Sequence, residues 1–242
     1  MKDEEIDDVL NRAARAAHDP QPETLRRVAE SIKPSLRPVR PLPSTWAITS
    51  GLFFVCAAVS VAGAAHAGFF GIEKMDILER SLVFSTLVLL IWVAGAAFVH
   101  EMIPGSRRRL SSGALLAFGS AVLLAIFAFL FRDCHVEHFV PVGVACLLTG
   151  LLYAVPAALL SWLLLLRRGV ALNPVSAGLA AGTLGGLAGV AMLELHCPNF
   201  EAAHVLVWHT AVVPLSAALG AAVTWILHFP RASGSRERAT PQ

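Results

Sequence analysis

Six long runs of apolar residues, separated by short polar stretches, occupy the chain from Trp46 onward. They lie at about residues 46–70, 81–103, 112–131, 139–166, 174–195 and 204–229. Each run is close to the ~20 residues that a helix needs to cross about 30 Å of hydrocarbon. Helices are expected because lipid offers no hydrogen bonds to backbone N–H and C=O groups. The pattern predicts an all-α, polytopic membrane bundle of six transmembrane helices over residues 46–229.

A different pattern precedes the first run, where apolar residues recur every three or four positions among charged ones. It predicts an amphipathic helix over residues 3–17 and a second one over residues 23–32. Because two helices this short are marginal alone in water, residues 1–33 are expected to bind a partner. The residues assigned to that interface are Ile6, Val9, Leu10, Ala13, Leu25, Val28 and Ile32. Residues 34–45 are rich in proline, which is typical of a semi-rigid tether, and residues 230–242 form a C-terminal tail.

Composition and charge support a membrane protein and predict its orientation. Hydrophobic residues make up 56% of the chain and charged residues 15%, far from the values of soluble domains. Sixteen of the nineteen Lys and Arg residues lie in the N-terminal segment, the second and fourth connections, or the C-terminal tail. The exceptions are Lys74, Arg80 and Arg132. The positive-inside rule therefore predicts that both termini lie in the cytoplasm.

Small residues are concentrated in the fifth apolar run, where Gly178, Gly182 and Gly186 are each four positions apart. This spacing lets helices approach closely in a bilayer. It favours packing within one bundle, and a homodimer face is the alternative.

Two connections on the predicted outer side are dense in side chains that form disulfides or bind metals. The candidate cysteines are Cys134, Cys146 and Cys197, and the candidate histidines are His135, His138, His196 and His204. In an oxidising compartment, Cys197 is a candidate for a disulfide with either Cys146 or Cys134. Thiolate and imidazole together also suit zinc or copper. Polar loop packing without any chemistry is the third alternative, and the residues leave all three open.

Other features narrow the function classes. No CxxC pair, HExxH, GxSxG or phosphate-binding GK[ST] loop occurs, so the chain is not expected to be an enzyme. No Asp or Glu lies in mid-span, which argues against a cation transporter. Cys56, among apolar neighbours, is expected to be a buried apolar residue. His204 and His209 are five positions apart, which places them on different faces of an α-helix and argues against a shared haem.

Several short motifs together resemble the NrsF family of membrane-bound anti-sigma factors over about residues 38–228. They are Pro-Val-Arg-Pro-Leu-Pro at 38–43, Cys146-Leu-Leu-x-Gly150 leading through Pro156 to Leu-Arg167-Arg168-Gly169, Ala-Gly-x-x-Ala-Gly in the fifth run, and Leu195-His196-Cys197-Pro198 with His204 and Trp208-His209. The His-Cys-Pro element and the cysteine upstream of it are the most specific part.

The resemblance implies a six-span protein that holds an extracytoplasmic-function sigma factor at the bacterial inner membrane, with no direct contact to nucleic acid. It also implies that Cys146 and Cys197 take part in stress sensing. Cys134 and the additional histidines go beyond the family pattern. The N-terminal segment lacks the His-xxx-Cys-xx-Cys zinc module of soluble anti-sigma factors, so sigma binding would depend on its two apolar helix faces.

Two other function classes are compatible with the same features. A membrane thiol oxidoreductase that uses a quinone also places cysteines at the outer ends of a helix bundle, but it normally needs a CxxC pair. A metal or small-solute transporter is the second alternative. No cofactor is certain, and zinc or copper at the outer Cys/His cluster is the one considered.

Overall fold

The computed structural model describes residues 22–33, 43–103, 111–133, 139–166, 171 and 173–233, and the single residues 8 and 12. Across these residues the regular elements are all helical. They are α1 (Pro22–Ile32), α2 (Thr45–Ala67), α3 (Phe70–Lys74), α4 (Ile77–Met102), α5 (Ser112–Leu130), α6 (Phe139–Leu166), α7 (Pro174–His196), α8 (Ala202–His204), a π-helical turn (Val205–His209) and α9 (Thr210–Ser233). The chain divides into two compact units, residues 1–42 and 43–242.

Six helical segments are long and apolar enough to cross a membrane, and they confirm the predicted number of spans. The second of them begins at Ile77, four residues before the predicted start. A capping box explains the difference: the Asp76 carboxylate accepts from the Glu79 N–H at 2.7 Å, and Glu79 accepts from the Asp76 N–H at 2.9 Å. These two hydrogen bonds satisfy N–H groups that a helix start otherwise leaves without partners, so polar residues can open the helix.

Helix α7 lies at the centre of the second unit. Inside the protein, 83% of its most apolar stretch is buried, against 22–44% for the other five spans. It packs against all five other spans, namely α2, α4, α5, α6 and α9. These neighbours therefore shield α7 from lipid, while each of them keeps an apolar surface that faces outward.

The glycines of α7 let this helix approach its neighbours at backbone distance. A Cβ atom on Gly182 would collide with the Ser216 carbonyl on α9. On the other side, a Cβ on Gly185 would lie 2.6 Å from the Ala154 carbonyl on α6. The glycine pattern is thus used for packing within the bundle, where close backbone approach supplies the van der Waals contact that holds membrane helices together.

Contacts with other elements hold α7 at both of its ends. Near its start, Ser176 Oγ donates to the buried Glu101 Oε1 of α4 at 3.0 Å, and Ser112 Oγ of α5 donates to the same oxygen at 2.9 Å. Near its end, the short helix α3 lies directly against the backbone. A Cβ on Gly71 would lie 2.6 Å from the Glu194 carbonyl, so only glycine fits at this contact. The axial position of α7 is defined at both ends.

In the first unit, α1 confirms the second predicted amphipathic helix. Its apolar residues Leu25, Val28 and Ile32 are 55%, 49% and 46% exposed. Arg26 and Arg27 form ion pairs with Glu23 along the helix. Of the predicted helix over 3–17 the structure describes only Asp8 and Arg12, so its proposed interface residues Ile6, Val9, Leu10 and Ala13 lie outside the described residues.

Replacing Gly182 by alanine is expected to destabilise the bundle. The new methyl group meets the backbone of α9 at Ser216, and overpacking of this kind typically costs about 1–3 kcal/mol. Gly119→Ala in α5 is the matched control, because nothing lies within 4 Å of a Cβ at that position. Thermal unfolding in detergent should show a lower apparent Tm for G182A and an unchanged or higher Tm for G119A. Equal melting of the two variants would contradict the packing described for α7.

Candidate functional site, a buried thiol and imidazole cluster

Five chemistry-bearing side chains meet at the end of the bundle where α7 finishes and α6 and α8 begin. Cys146 lies two turns into α6, and Glu194 lies in the last turn of α7. Cys197 is the residue that ends α7, and its N–H donates to the Leu193 carbonyl at 2.7 Å. His204 ends α8 and His209 ends the π-helical turn. The cluster therefore joins the fourth, fifth and sixth spans.

The sulfur and nitrogen atoms of this cluster lie close together. Cys146 Sγ is 3.4 Å from Cys197 Sγ, and Cys197 Sγ is 3.6 Å from His204 Nε2. Four residues each offer one ligand atom, and these four atoms all lie within 4.8 Å of one another. The residues are Cys146, Cys197, His204 and His209. Cys146 is partly exposed, whereas the other three are buried. Both thiols are free, so they are available for oxidation or for a metal.

A π-helical turn brings the two histidines together and corrects the expectation that they point to different faces. The Thr210 N–H donates to the Val205 carbonyl five residues earlier, the hydrogen-bond pattern of a π-helix. In that geometry residues five positions apart lie one above the other. The rings of His204 and His209 have centroids 5.1 Å apart and meet edge to face. The prediction was wrong because it assumed α-helical spacing.

The Glu194 carboxylate orients His209 from the side opposite the thiols. Its Oε1 is 2.7 Å from His209 Nδ1, and both side chains are 0% exposed. His209 Nε2 and Glu194 Oε2 have no hydrogen-bond partner among the described residues. Removing one member of such a buried pair typically costs about 3–5 kcal/mol, because the other is left uncompensated. This pair holds one ring nitrogen of His209 and leaves the second one directed at the cluster.

The connection that carries Cys197 is held by contacts from two other parts of the bundle. The Ala202 N–H donates to the Asp133 carbonyl at 2.7 Å, and the Phe131 and Phe200 rings stack at 5.1 Å. Within the connection, the Glu201 N–H donates to Asn199 Oδ1 at 3.0 Å. Cys197 itself lies between the membrane-spanning segments, and its pKa is raised, first by the hydrogen bond with Cys146 and second by burial.

The structure brings together three of the predicted site residues, Cys146, Cys197 and His204. It places His196 elsewhere, with Nδ1 3.0 Å from the Gly68 carbonyl and the ring beside Phe70. Cys134, His135 and His138 lie outside the described residues. Cys56 is fully buried in the apolar core of the second unit, as predicted.

Sequence reasoning missed two members of the cluster, Glu194 and His209. The available signal for Glu194 was a carboxylate on the most glycine-rich of the apolar runs, three positions before Cys197. An ionisable residue at such a place indicates a functional site. No sequence pattern considered above predicts the π-helical turn that positions His209.

Comparison with known families gives one match, which covers most of the chain. The sequence matches the family NrsF, described as negative regulator of sigma F, over residues 34–228. The chain belongs to the NrsF family. As an NrsF-family protein it is a multi-pass membrane protein and a negative regulator of a sigma factor, which makes a sigma factor its partner. Searches of curated proteins and of solved structures find no match.

Mild oxidation of the reduced, purified NrsF-family chain is expected to link Cys146 to Cys197. The two sulfurs are 3.4 Å apart, so a small movement brings them to the ~2.05 Å of a disulfide. Diamide would accept the two electrons and two protons that the thiols lose, and peptide mapping by mass spectrometry would identify the bond. Cys56, buried in the apolar core, should remain a thiol. A Cys197–Cys134 link in its place would contradict this assignment.

Proposed function

We propose that the chain is an anti-sigma factor that holds an extracytoplasmic-function sigma factor at the bacterial inner membrane. It releases the sigma factor when the thiol cluster on the periplasmic side is oxidised or captures a metal ion. The observation that carries this proposal is the contact between Cys146 and Cys197, which lies directly at the end of the buried helix α7. Either chemical change alters the distance between α6 and the end of α7.

The proposed orientation places both termini in the cytoplasm and the cluster in the periplasm. It rests on the distribution of Lys and Arg, because only three of nineteen lie in the connections at the cluster's end. One of these three, Arg80, donates from Nε to the Met75 carbonyl at 2.9 Å. An oxidising compartment on the cluster's side also suits a pair of thiols that respond to oxidants.

The N-terminal segment is proposed to supply the sigma-binding surface. In α1 the exposed residues Leu25, Val28 and Ile32 recur with helical spacing and form one apolar face. An amphipathic helix that binds a groove on its partner uses anchors of this spacing. Residues 34–45, with their prolines, would hold this surface close to the membrane while the sigma factor is bound. A homodimer stays a separate prediction, and the α7 glycines considered as its face pack within the bundle.

Release requires that the two chemical states of the cluster favour different arrangements of the protein. A signal shifts an equilibrium only by its differential affinity for two states. In the oxidised state, a disulfide replaces the 3.4 Å contact, and two electrons and two protons pass to an oxidant such as a hydroperoxide. Because α7 contacts all five of the other spans, a shift at its end changes packing across the bundle. The sigma-binding form would be the one with reduced thiols.

Polar substitution on the apolar face of α1 should weaken sigma binding. Val28→Gln places an amide where an apolar anchor is expected, and loss of such an anchor costs more than about 1 kcal/mol, or close to tenfold in Kd. Arg27→Gln, at the neighbouring position in the helix, introduces the same side chain on the charged face. Co-purification of the sigma factor with the tagged full chain measures the effect. An equal loss of sigma-factor binding in both variants would contradict the assignment of the apolar face.

Serine substitutions at the cluster should change the response of a sigma-dependent reporter to a periplasmic hydroperoxide. Cys146→Ser and Cys197→Ser each remove one of the two sulfurs needed for a disulfide, so induction is expected to fall to near its basal level. Cys56→Ser is the control, because Cys56 lies in the core away from the cluster. Protein levels in the membrane fraction must match. Unchanged induction in both cluster variants would refute sensing by this pair.

A further inference from the structure

We infer that Cys146, Cys197, His204 and His209 form a tetrahedral binding site for a Zn²⁺-type ion and that Glu194 is the positioning residue for His209. The use of this site as a sensor rests on the proposed function, to which it adds the metal and the complete ligand set. The binding of a metal at this site is argued from geometry alone. It can therefore be tested without the sigma factor.

The distances between the four side chains match the edges of a coordination tetrahedron. With Zn–S bonds of about 2.3 Å, two sulfurs in a tetrahedron lie about 3.8 Å apart, and with Zn–N bonds of about 2.0 Å a sulfur and a nitrogen lie about 3.5 Å apart. The observed Sγ–Sγ distance is 3.4 Å, and Cys197 Sγ is 3.6 Å from His204 Nε2. All four ligand atoms lie within 4.8 Å of one another. Binding would require adjustments of a few tenths of an ångström at the two Cys197 contacts and of up to about 1.5 Å at the others.

The unsatisfied nitrogen of His209 is the second, independent observation. His209 is fully buried, and its Nε2 has no hydrogen-bond partner among the described residues. Buried polar atoms are normally hydrogen-bonded, so an orphaned nitrogen beside two thiols indicates a ligand. The other ring nitrogen, Nδ1, is 2.7 Å from Glu194 Oε1. With Nδ1–H donating to the carboxylate, the lone pair of Nε2 is directed at the cluster.

The Glu194–His209 contact has the form of a carboxylate–histidine pair behind a metal. Histidines that bind metals almost always donate their second N–H to a carboxylate, a carbonyl or water, which fixes the tautomer and raises the basicity of the ligand. Glu194 is 0% exposed on an otherwise apolar helix, where an isolated carboxylate is unfavourable. The contact with His209 Nδ1 is what stabilises the carboxylate at this position.

The chemistry of the ligands selects the ion. Two thiolates and two imidazoles in a tetrahedron are typical of Zn²⁺, and the same set excludes hard ions such as Mg²⁺, which prefer oxygen ligands. On binding, each thiol loses one proton, and the charges of the two thiolates balance that of the ion. Cys146 lines a groove with Pro141, Val142 and Thr149, which gives an ion access to an otherwise buried site.

Zinc binding to the purified, reduced full chain in detergent would test this inference. A competition titration against a chromophoric chelator measures stoichiometry and affinity, and Co²⁺ in place of Zn²⁺ reports tetrahedral geometry and thiolate ligands through its absorption bands. We expect one ion per chain, retained in excess Mg²⁺. Cys146→Ser, Cys197→Ser, His204→Gln and His209→Gln should each weaken binding at least tenfold.

Two controls separate the ligands from their surroundings. His196→Gln removes a histidine at the same end of the bundle that contacts Gly68 rather than the cluster, so binding should be unchanged. Glu194→Gln leaves all four ligands in place and should weaken binding about 10- to 100-fold, the typical effect of a lost second-shell partner. This variant also keeps the inference testable where His209→Gln fails to fold.

Three outcomes would overturn the inference. They are less than one Zn²⁺ per wild-type chain, binding in H204Q and H209Q as tight as in wild type, and loss of binding only on substitution of Cys134, His135 or His138. If Zn²⁺ binds as expected but neither Zn²⁺ nor its removal affects the sigma factor in co-purification, the metal site stands and the proposed function fails. If sigma release responds to hydroperoxide while no Zn²⁺ binds, the proposed function stands and the metal site fails.

Discussion

Close packing of α7 against its neighbours is the constraint on which the rest of this structure depends. Lipid tails are as apolar as leucine, so burying apolar surface does not drive membrane helices together as it does in water. Contact has to come from backbones that approach closely, and the glycines of α7 permit this on two sides at once. Ala154 on α6 and Ser216 on α9 are the partners. The other spans can then surround α7 in one bundle.

The same constraint explains where the polar cluster lies. Because α7 is shielded from lipid, its last turn can carry the Glu194 carboxylate inside the bundle, where His209 partners it. Cys197 follows immediately, at a helix end that α3 and the Phe131–Phe200 stack hold in place. At the opposite end, Glu101 and Ser176 tie α7 to α4. Contacts at both ends thus fix α7 relative to the neighbouring helices.

Ionisable groups buried in a membrane bundle are unfavourable unless they are paired, and their presence commonly marks function. Here a carboxylate, two imidazoles and two thiols share one small region, and each is close to at least one other. The NrsF family relation assigns the protein to negative regulation of a sigma factor. Within the described residues, this is the group that the proposed function uses as its sensor.

Much of the architecture followed from the sequence alone. Hydropathy and the spacing of small residues are local properties, so they predicted six helices, the close packing of Gly178, Gly182 and Gly186, and the amphipathic helix α1. The start of α4 was four residues off, because a capping box can extend a helix into polar sequence. Family motifs in the sequence also named Cys146 and Cys197 as a pair.

Only the tertiary structure decided which side chains join that pair. His196 is adjacent to Cys197 in the chain and looked like a ligand, yet it contacts Gly68. His209 and Glu194 belong to the cluster because a π-helical turn shifts the register of the last span and because α7 and that span are in contact. Helix periodicity follows from the local sequence. The one-residue change of register and the contacts between side chains of separate helices arise only when the whole bundle packs.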